Sequence, residues 1–315
     1  MKALFSSTQS IRRLVMMLGL LLMLLLMTGV PIAAQDISQS GAVIAYVSNY
    51  DGDPEIYLMD DNGKLFAQLT DNSANDYDPT WSGDGSRLAF SSNVDGDYDI
   101  YVMDVSSGQS YNLTNNRADD WNPAWSPNSG RIAFVSNFDG DAEIYAVNYD
   151  AKGSADVQQL TNNSADDASP TWSPDGKFLA YSSNVEGNYD IYILNVSTLE
   201  ATNITNSPNS NDMTPQWSLD GDAIAFASNV TGNFEIHQVH MNGSQPQEFQ
   251  QLTFTDSGAN NVLPYWAPDG EHLLFTSITD RKKSEIFLLD LRAGNPVQLT
   301  FDDVTSTSAA WRPSG

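Results

Sequence analysis

The chain has 315 residues, no cysteine, and 40 acidic against 14 basic side chains, a formal net charge of −26. That balance excludes nucleic acid and anionic membrane surfaces as partners, because both need a basic patch. The missing cysteines exclude a disulfide framework and a lipid anchor on an N-terminal Cys.

In chain order, the first element is a targeting segment. Lys2, Arg12 and Arg13 precede an uncharged apolar run from Leu14 to Val30, and Pro31-Ile32-Ala33-Ala34 offers a small-residue cleavage site. Residues 1–34 are therefore expected to be a secretory signal peptide, with an uncleaved anchor as the alternative. Residues 35–315 are expected to form a single domain, exported to the periplasm, cell envelope or extracellular space and not embedded in a membrane.

Six tryptophans then recur at near-even spacing, Trp81, Trp125, Trp172, Trp217, Trp266 and Trp311. Each opens a new copy of a unit about 46 residues long, a period that indicates propeller blades. The copy at Trp172 is the clearest: Pro170-Thr171-Trp172-Ser173-Pro174-Asp175-Gly176, then Phe178-Leu179-Ala180-Tyr181-Ser182-Ser183-Asn184, then Asp190-Ile191-Tyr192-Ile193-Leu194, then Asn203-Ile204-Thr205. Four strand-like runs alternate with turns. Runs such as Ile132-Ala133-Phe134-Val135 are apolar on both faces, as expected of a sheet packed between two neighbours. The repeat array starts on a second strand, Val43-Ile44-Ala45-Tyr46, and ends on a first strand, Ala309-Ala310-Trp311. The fold predicted is all-β: a six-bladed β-propeller, closed by the C-terminal strand completing the first blade and so leaving no open sheet edge.

Loop membership sorts the charge. The hairpins joining second to third strands and the loops joining consecutive blades open on one face, and most of the acidic residues fall in them. Surface acids of this kind serve solubility, or they receive a cationic segment or a divalent metal. The sixth hairpin departs from the pattern, because Arg281, Lys282 and Lys283 replace acidic tips with a basic cluster, a candidate docking point for a partner. Five residues before each tryptophan stand Asp76, Asp120, Asp167, Asp212, Asn261 and Ser306. They are expected at the mouth of the central channel, either as a binding ring or as caps on neighbouring loop N–H groups.

Other chemistry is thin. No Gly-x-Ser-x-Gly elbow occurs, and three histidines are too few for a zinc cluster. His237 and His240 are three apart on a strand and face opposite ways. Asp95-x-Asp97-x-Asp99 resembles the start of a calcium loop but has Ile100 where a Gly is needed and Ser106 where a Glu is needed, so no cofactor is expected, with calcium the one candidate. The acidic residue before Ile-Tyr (Glu55, Asp99, Glu143, Asp190, Glu235, Glu285) recurs in all six copies and is expected to make a hydrogen bond inside every blade.

Pro-x-Trp-Ser-Pro-Asp-Gly, an apolar strand ending Ser-Asn, an acid with Ile-Tyr, and Leu-Thr together resemble the WD40-like repeats of the TolB propeller family, over residues 43 to 315. The resemblance implies a periplasmic propeller that meets a peptidoglycan-associated lipoprotein in an envelope complex; similar propellers cap the active sites of prolyl-oligopeptidase-like peptidases. Two departures stand out. TolB proteins carry an α/β domain before the propeller, and only about eight residues separate the cleavage site from the first strand here. The expected function is that of a non-catalytic, monomeric propeller binding a protein or peptide with a basic segment through the acidic face and channel mouth. The alternatives are a metal-dependent enzyme acting on sugars or lactones, and a purely structural envelope component.

Overall fold

The computed structural model describes residues 43–127, 130–149, 157–255, 258–279, 283–301 and 304–313. Residues 1–34, expected from the sequence to be a signal peptide, lie outside them. Among the described residues, the chain forms six four-stranded antiparallel sheets arranged as a ring.

The first blade contains β1 (Val43–Ser48), β2 (Glu55–Asp60) and β3 (Leu65–Gln68), and the second β4 (Asp76–Trp81), β5 (Arg87–Ser92), β6 (Asp99–Asp104) and β7 (Gln109–Asn112). The third holds β8 (Asp120–Trp125), β9 (Arg131–Ser136), β10 (Glu143–Asn148) and β11 (Gln158–Gln159), and the fourth β12 (Asp167–Trp172), β13 (Phe178–Ser183), β14 (Asp190–Asn195) and β15 (Ala201–Asn203). The fifth has β16 (Asp212–Trp217), β17 (Ala223–Ser228), β18 (Glu235–Asn242) and β19 (Gln245–Gln251). The sixth has β20 (Asn260–Trp266), β21 (His272–Ile278), β22 (Ser284–Asp290) and β23 (Pro296–Gln298), after which β24 (Ser306–Trp311) returns to the first blade. Its sheet runs β24-β1-β2-β3, so the last strand of the chain is the innermost strand of the first blade. Ile44 pairs with Trp311 and Ala45 with Ala310.

Burial follows from the stacking. Second and third strands are buried along almost their whole length, as in β1 and β17, while the outer strand β7 is mostly exposed. Apolar side chains from neighbouring blades merge into shared cores. Ile44, Tyr57 and Trp311 of the first blade, for example, pack with Leu274 and Ile286 of the sixth. Alternate tryptophans also bond across the joints: the indole N–H groups of Trp81, Trp172 and Trp266 donate to the backbone oxygens of Ala310, Ala124 and Gln216 in the preceding blade.

The Leu-Thr pair has a defined task. In all six blades the Thr hydroxyl accepts the N–H of the Ile that follows the recurrent acid, from Ile56 to Thr70 at 2.9 Å through Ile286 to Thr300 at 2.9 Å. The hydroxyl can then donate to that acid, as Thr114 does to Asp99 at 2.9 Å and Thr300 to Glu285 at 2.6 Å.

Every innermost strand breaks register in mid-strand. Its third residue, the fourth in β20, adopts a left-handed backbone, with φ of 54° at Asp78, 48° at Asn122, 54° at Ser169, 52° at Thr214, 54° at Leu263 and 50° at Ser308. Pro79, Pro123, Pro170, Pro215 and Pro264 follow at five of the six. A bulge next to a proline suits a strand whose inner edge is unpaired and faces the channel.

Candidate functional site

The acidic face is built on rigid hairpins. In five of them an Asn-x-x-Gly turn closes with the Gly N–H donating to the Asn carbonyl, at 2.8 to 3.1 Å. Each turn places its Gly at a φ between 106° and 126°, a conformation costly for any other residue. The same Asn reaches sideways with its side-chain oxygen. Asn49, Asn93, Asn137, Asn184 and Asn229 accept the backbone N–H of Thr305, Asn75, Asp119, Asp166 and Asn211 on adjoining inter-blade loops, at 2.7 to 3.0 Å. Hairpin and loop are thereby locked together.

What those hairpins display is apolar. The residue after each Asn points outward: Tyr50 is 60 % exposed, Val94 54 %, Phe138 70 %, Val185 49 % and Val230 61 %. Phe254 and Phe301, directly after the Leu-Thr pairs of the fifth and sixth blades, are 78 % and 71 % exposed on the same face. Exposed carboxylates at Asp51, Asp71, Asp95, Asp139, Asp166 and Glu186 stand among them. The face is amphipathic, a ring of apolar tips in an anionic field, a feature the charge count alone does not reveal.

The predicted mouth residues lie deeper. Asp76, Asp120 and Asp167 are fully buried, and Asp212, Asn261 and Ser306 are 2 % exposed. Asp76, Asp120, Asp167, Asp212 and Asn261 sit in the joints between blades, against the recurrent acid of the preceding blade, while Ser306 meets Ser48 at 3.4 Å; none lines the channel cavity. In three joints an Asn four residues upstream donates its side-chain N–H to the Asp: Asn72 to Asp76 at 2.9 Å, Asn116 to Asp120 at 2.6 Å and Asn163 to Asp167 at 2.8 Å. The backbone N–H of Asn72 also donates to Glu55, and that of Asn163 to Glu143. In the fifth joint Asn261 donates to Glu235 at 2.8 Å.

Two carboxyls facing each other away from water cannot both ionise cheaply. Burial, with added repulsion from Asp76, pushes Glu55 up to about 8, and burial with Asp167 nearby pushes Glu143 up to about 7. Burial likewise raises Asp99, Asp212 and Asp167, and lifts Asp120 to about 6. With its pKa raised to about 8, Glu55 is protonated at neutral pH and carries no charge beside Asp76. The bonding of these positions follows a third course, neither a ring of free carboxylates nor simple loop capping: side chains bond to side chains across blades.

The channel cavity begins two residues further along each innermost strand, at the left-handed ring. It measures 440 Å³ and extends from Asp78, Asn122 and Thr214 to the turns at Pro127, Pro174 and Pro313, on the face opposite the acidic hairpins. Among the described residues, Asp78 is the one charged side chain in its lining. Its Oδ2 accepts from Asn122 Nδ2 at 2.9 Å and Ser91 Oγ at 3.4 Å, and its Oδ1 from Ser308 Oγ at 3.3 Å. Enclosure raises its pKa against the pull of these donors. Spacing from the tryptophans drew attention to the first residue of each strand, whereas the asymmetric group stands at the third; the signal available was that Asp78 has no acidic counterpart in the other five copies.

The remaining candidates are soon placed. Arg281 and Lys282 lie outside the described residues, while Lys283 pairs with Glu285 at 2.8 Å. His237 is buried, stacks on Phe226 at 5.9 Å and has its pKa lowered by burial, whereas His240 is exposed. His272 contacts Asp269 at 2.7 Å. The calcium-like hairpin is occupied by protein: Asn112 Nδ2 donates to Asp95 at 2.9 Å and to Asp99 at 2.8 Å. Among the described residues no group of three or more His, Asp or Glu could hold a metal ion, and no helix is long and apolar enough to cross a membrane.

No curated protein matches the chain in sequence. Among solved structures, TolB from Acinetobacter baumannii is similar with a TM-score of 0.76 at 20 % identity, over 87 % of this chain and 67 % of that one. Hydrazine synthase of Kuenenia stuttgartiensis gives 0.70 at 17 % identity, over 91 % and 50 %. Oligogalacturonate lyase from Vibrio parahaemolyticus gives 0.56 at 11 %, over 81 % and 73 %. At such identities the likeness is one of fold, and it spans enzymes and TolB alike. The family described as the TolB beta propeller domain matches residues 27–122 and 111–258, which is most of the repeat array, and the chain belongs to that family.

Proposed function

We propose that this propeller acts after export, in the cell envelope, as a monomer that binds a protein or peptide on its acidic face. The observation that carries this reading is the ring of exposed apolar tips, Tyr50, Val94, Phe138, Val185 and Val230, each presented by a hairpin tied to its neighbouring loop. Large exposed apolar side chains gathered on one face mark interaction sites, and a pre-ordered surface loses little entropy on binding. The partner that fits is a segment mixing basic and apolar side chains. Its charge would be drawn by the carboxylates and its apolar groups would settle between the tips. No cofactor is needed for this. The basic tip at Arg281, Lys282 and Lys283 is proposed to set the orientation of the partner by meeting an acidic point on it.

The test is a quantitative capture from envelope extract. Changing Val94, Phe138 and Val185 together to Ser should weaken capture of the partner by about tenfold or more, a loss of about 1.4 kcal/mol. Thermal stability should hardly move, since exposed substitutions away from special contacts stay within about 0.5 kcal/mol each. Changing Arg281 and Lys282 to Ser is expected to reduce capture as well. Lys283 is left in place, because it neutralises the buried Glu285. Capture indifferent to the triple change would refute the reading.

A further inference from the structure

The channel offers a second site, independent of the acidic face. We infer that the cavity behind Asp78 binds a primary ammonium group carried on a short apolar stem.

The repeat does not require a carboxylate there. The same left-handed position is filled by Asn122, Ser169, Thr214, Leu263 and Ser308 in the other blades, so Asp78 is a local addition to a tolerant position. Its placement is costly for the fold, because a carboxylate enclosed by protein loses hydration that neutral donors restore only in part. The donors it has, Asn122, Ser91 and Ser308, are all neutral, and among the described residues no Lys or Arg lines the cavity. A cation entering the channel would supply the missing partner.

Geometry narrows the kind of cation. Oδ2 is engaged by Asn122 Nδ2 and Ser91, Oδ1 has a long contact with Ser308 at 3.3 Å, and the Asn122 backbone N–H also donates to the carboxylate. A carboxylate with this many donors has room for one more compact donor, an ammonium, rather than for the two-pronged fork of a guanidinium. A calcium ion would need six to eight oxygen ligands, which a single carboxylate does not begin to provide. Much of the remaining wall is apolar and aromatic, with Trp217 and Tyr265 among prolines, which suits a hydrocarbon stem, while Thr171, Thr214 and Gln216 add polar groups. The Trp81 and Trp172 rings already carry Arg312 and Arg131, at 5.6 and 5.9 Å. At 440 Å³ the cavity falls in the range of small-molecule sites. Its entrance carries two carboxylates and the Arg312 guanidinium, which donates to Gly85 O at 2.8 Å. Asp84 and Asp220, next to the lining residues Gly83 and Leu219, are held ionised by hydrogen bonds from Ser82 and Ser218 at 2.6 Å.

The probe is n-butylammonium, with 1-butanol as its neutral counterpart and calcium chloride as the metal control, followed by saturation-transfer NMR and titration. The expected result is butylammonium binding that exceeds butanol binding by about tenfold or more, and that falls to the butanol level in Asp78→Ser. Ser is the residue that the fourth and first blades carry at this level, so the variant keeps a fold the repeat already uses. A second variant, Asp78→Ser with Leu263→Asp, returns a carboxylate to the same ring and should restore the preference for the amine. Butylammonium binding that is absent, equal to that of butanol, or unchanged in Asp78→Ser overturns the inference. So does calcium that displaces the amine in an Asp78-dependent way, which would make the site a metal site. None of these variants touches the hairpin face, so the outcome is separate from that of the partner-capture experiment.

Discussion

A chain ending at Val304 is expected to lose cooperative folding. Residues 305–313 contribute the innermost strand of the first blade, and the ring holds them from three sides. Arg312 N–H donates to Val43 O at 2.8 Å along β1, Trp81 Nε1 bonds to Ala310 O at 3.2 Å from the second blade, and Arg312 Nε reaches Gly85 O at 2.8 Å. Trp311 is 5 % exposed and packs with Leu299 and Ile286 of the sixth blade. Truncating one buried Trp costs about 3–5 kcal/mol, against a total stability of about 5–15 kcal/mol for a domain. Removing the whole strand adds the loss of Ala309 and Ala310 from the core and an unpaired edge along β1. Trp311→Ala alone should lower the melting temperature by about 6–20 °C at about 2–4 °C per kcal/mol, and the deletion by more. Calorimetry checks both. A deletion variant melting within about 2 °C of the intact chain would show that the ring is held closed by something else.

The second large effect is on pH. The sign follows from which state binds more protons. Glu55 and Glu143, with folded values of about 8 and about 7, stay protonated in the fold at pH values where the unfolded chain has released those protons. Their contribution is full below about pH 4.5 and is lost as pH rises through the folded values, each with a slope of up to about 1.4 kcal/mol per pH unit. Asp78, Asp99, Asp120, Asp167 and Asp212 are shifted the same way. The turn carboxylates act oppositely. Asp84 and Asp175, lowered to about 2 by hydrogen bonds from Ser82 and Lys177 respectively, stabilise the fold above about pH 3.8 and lose that contribution as pH falls. Stability measured by denaturant midpoint should therefore peak at about pH 4 and decline up to about pH 8. Glu55→Gln with Glu143→Gln should flatten the decline, because a carboxamide donates to Asp76 and Asp167 at every pH. A profile that is flat or rising between pH 5 and 8, or a double variant that keeps the wild-type slope, would contradict the raised values of Glu55 and Glu143.

The fold was legible because its determinants are periodic. Trp81 to Trp311 mark the blades, doubly apolar runs mark the sandwiched strands, and the mismatch between Val43 and Trp311 announces closure. The recurrent acid before Ile-Tyr was legible for the same reason, and its six-fold bonding with the Leu-Thr hydroxyl explains why the repeat keeps it. The site was less so. Asp76 and its counterparts look like a ring because they recur, but recurrence reports what every joint needs, and burial against the preceding blade is invisible in a linear spacing. Phe138 and Val94 read as ordinary hairpin residues until the ring gathers five such tips on one face. Asp78 was hidden by its neighbours in sequence, Asp76 and Asp71, although being the exception at its repeat position is what sets it apart.

The claim that the acidic, apolar-tipped face is the interaction surface is tested most directly by site-specific photocrosslinking during export in the producing cell. One photoreactive residue replaces Phe138, 70 % exposed on that face, and another replaces Leu219, 57 % exposed on the opposite one. The account predicts a discrete protein adduct from position 138 and none from position 219. An adduct from 219 with none from 138, or none from either position in correctly exported protein, would contradict it.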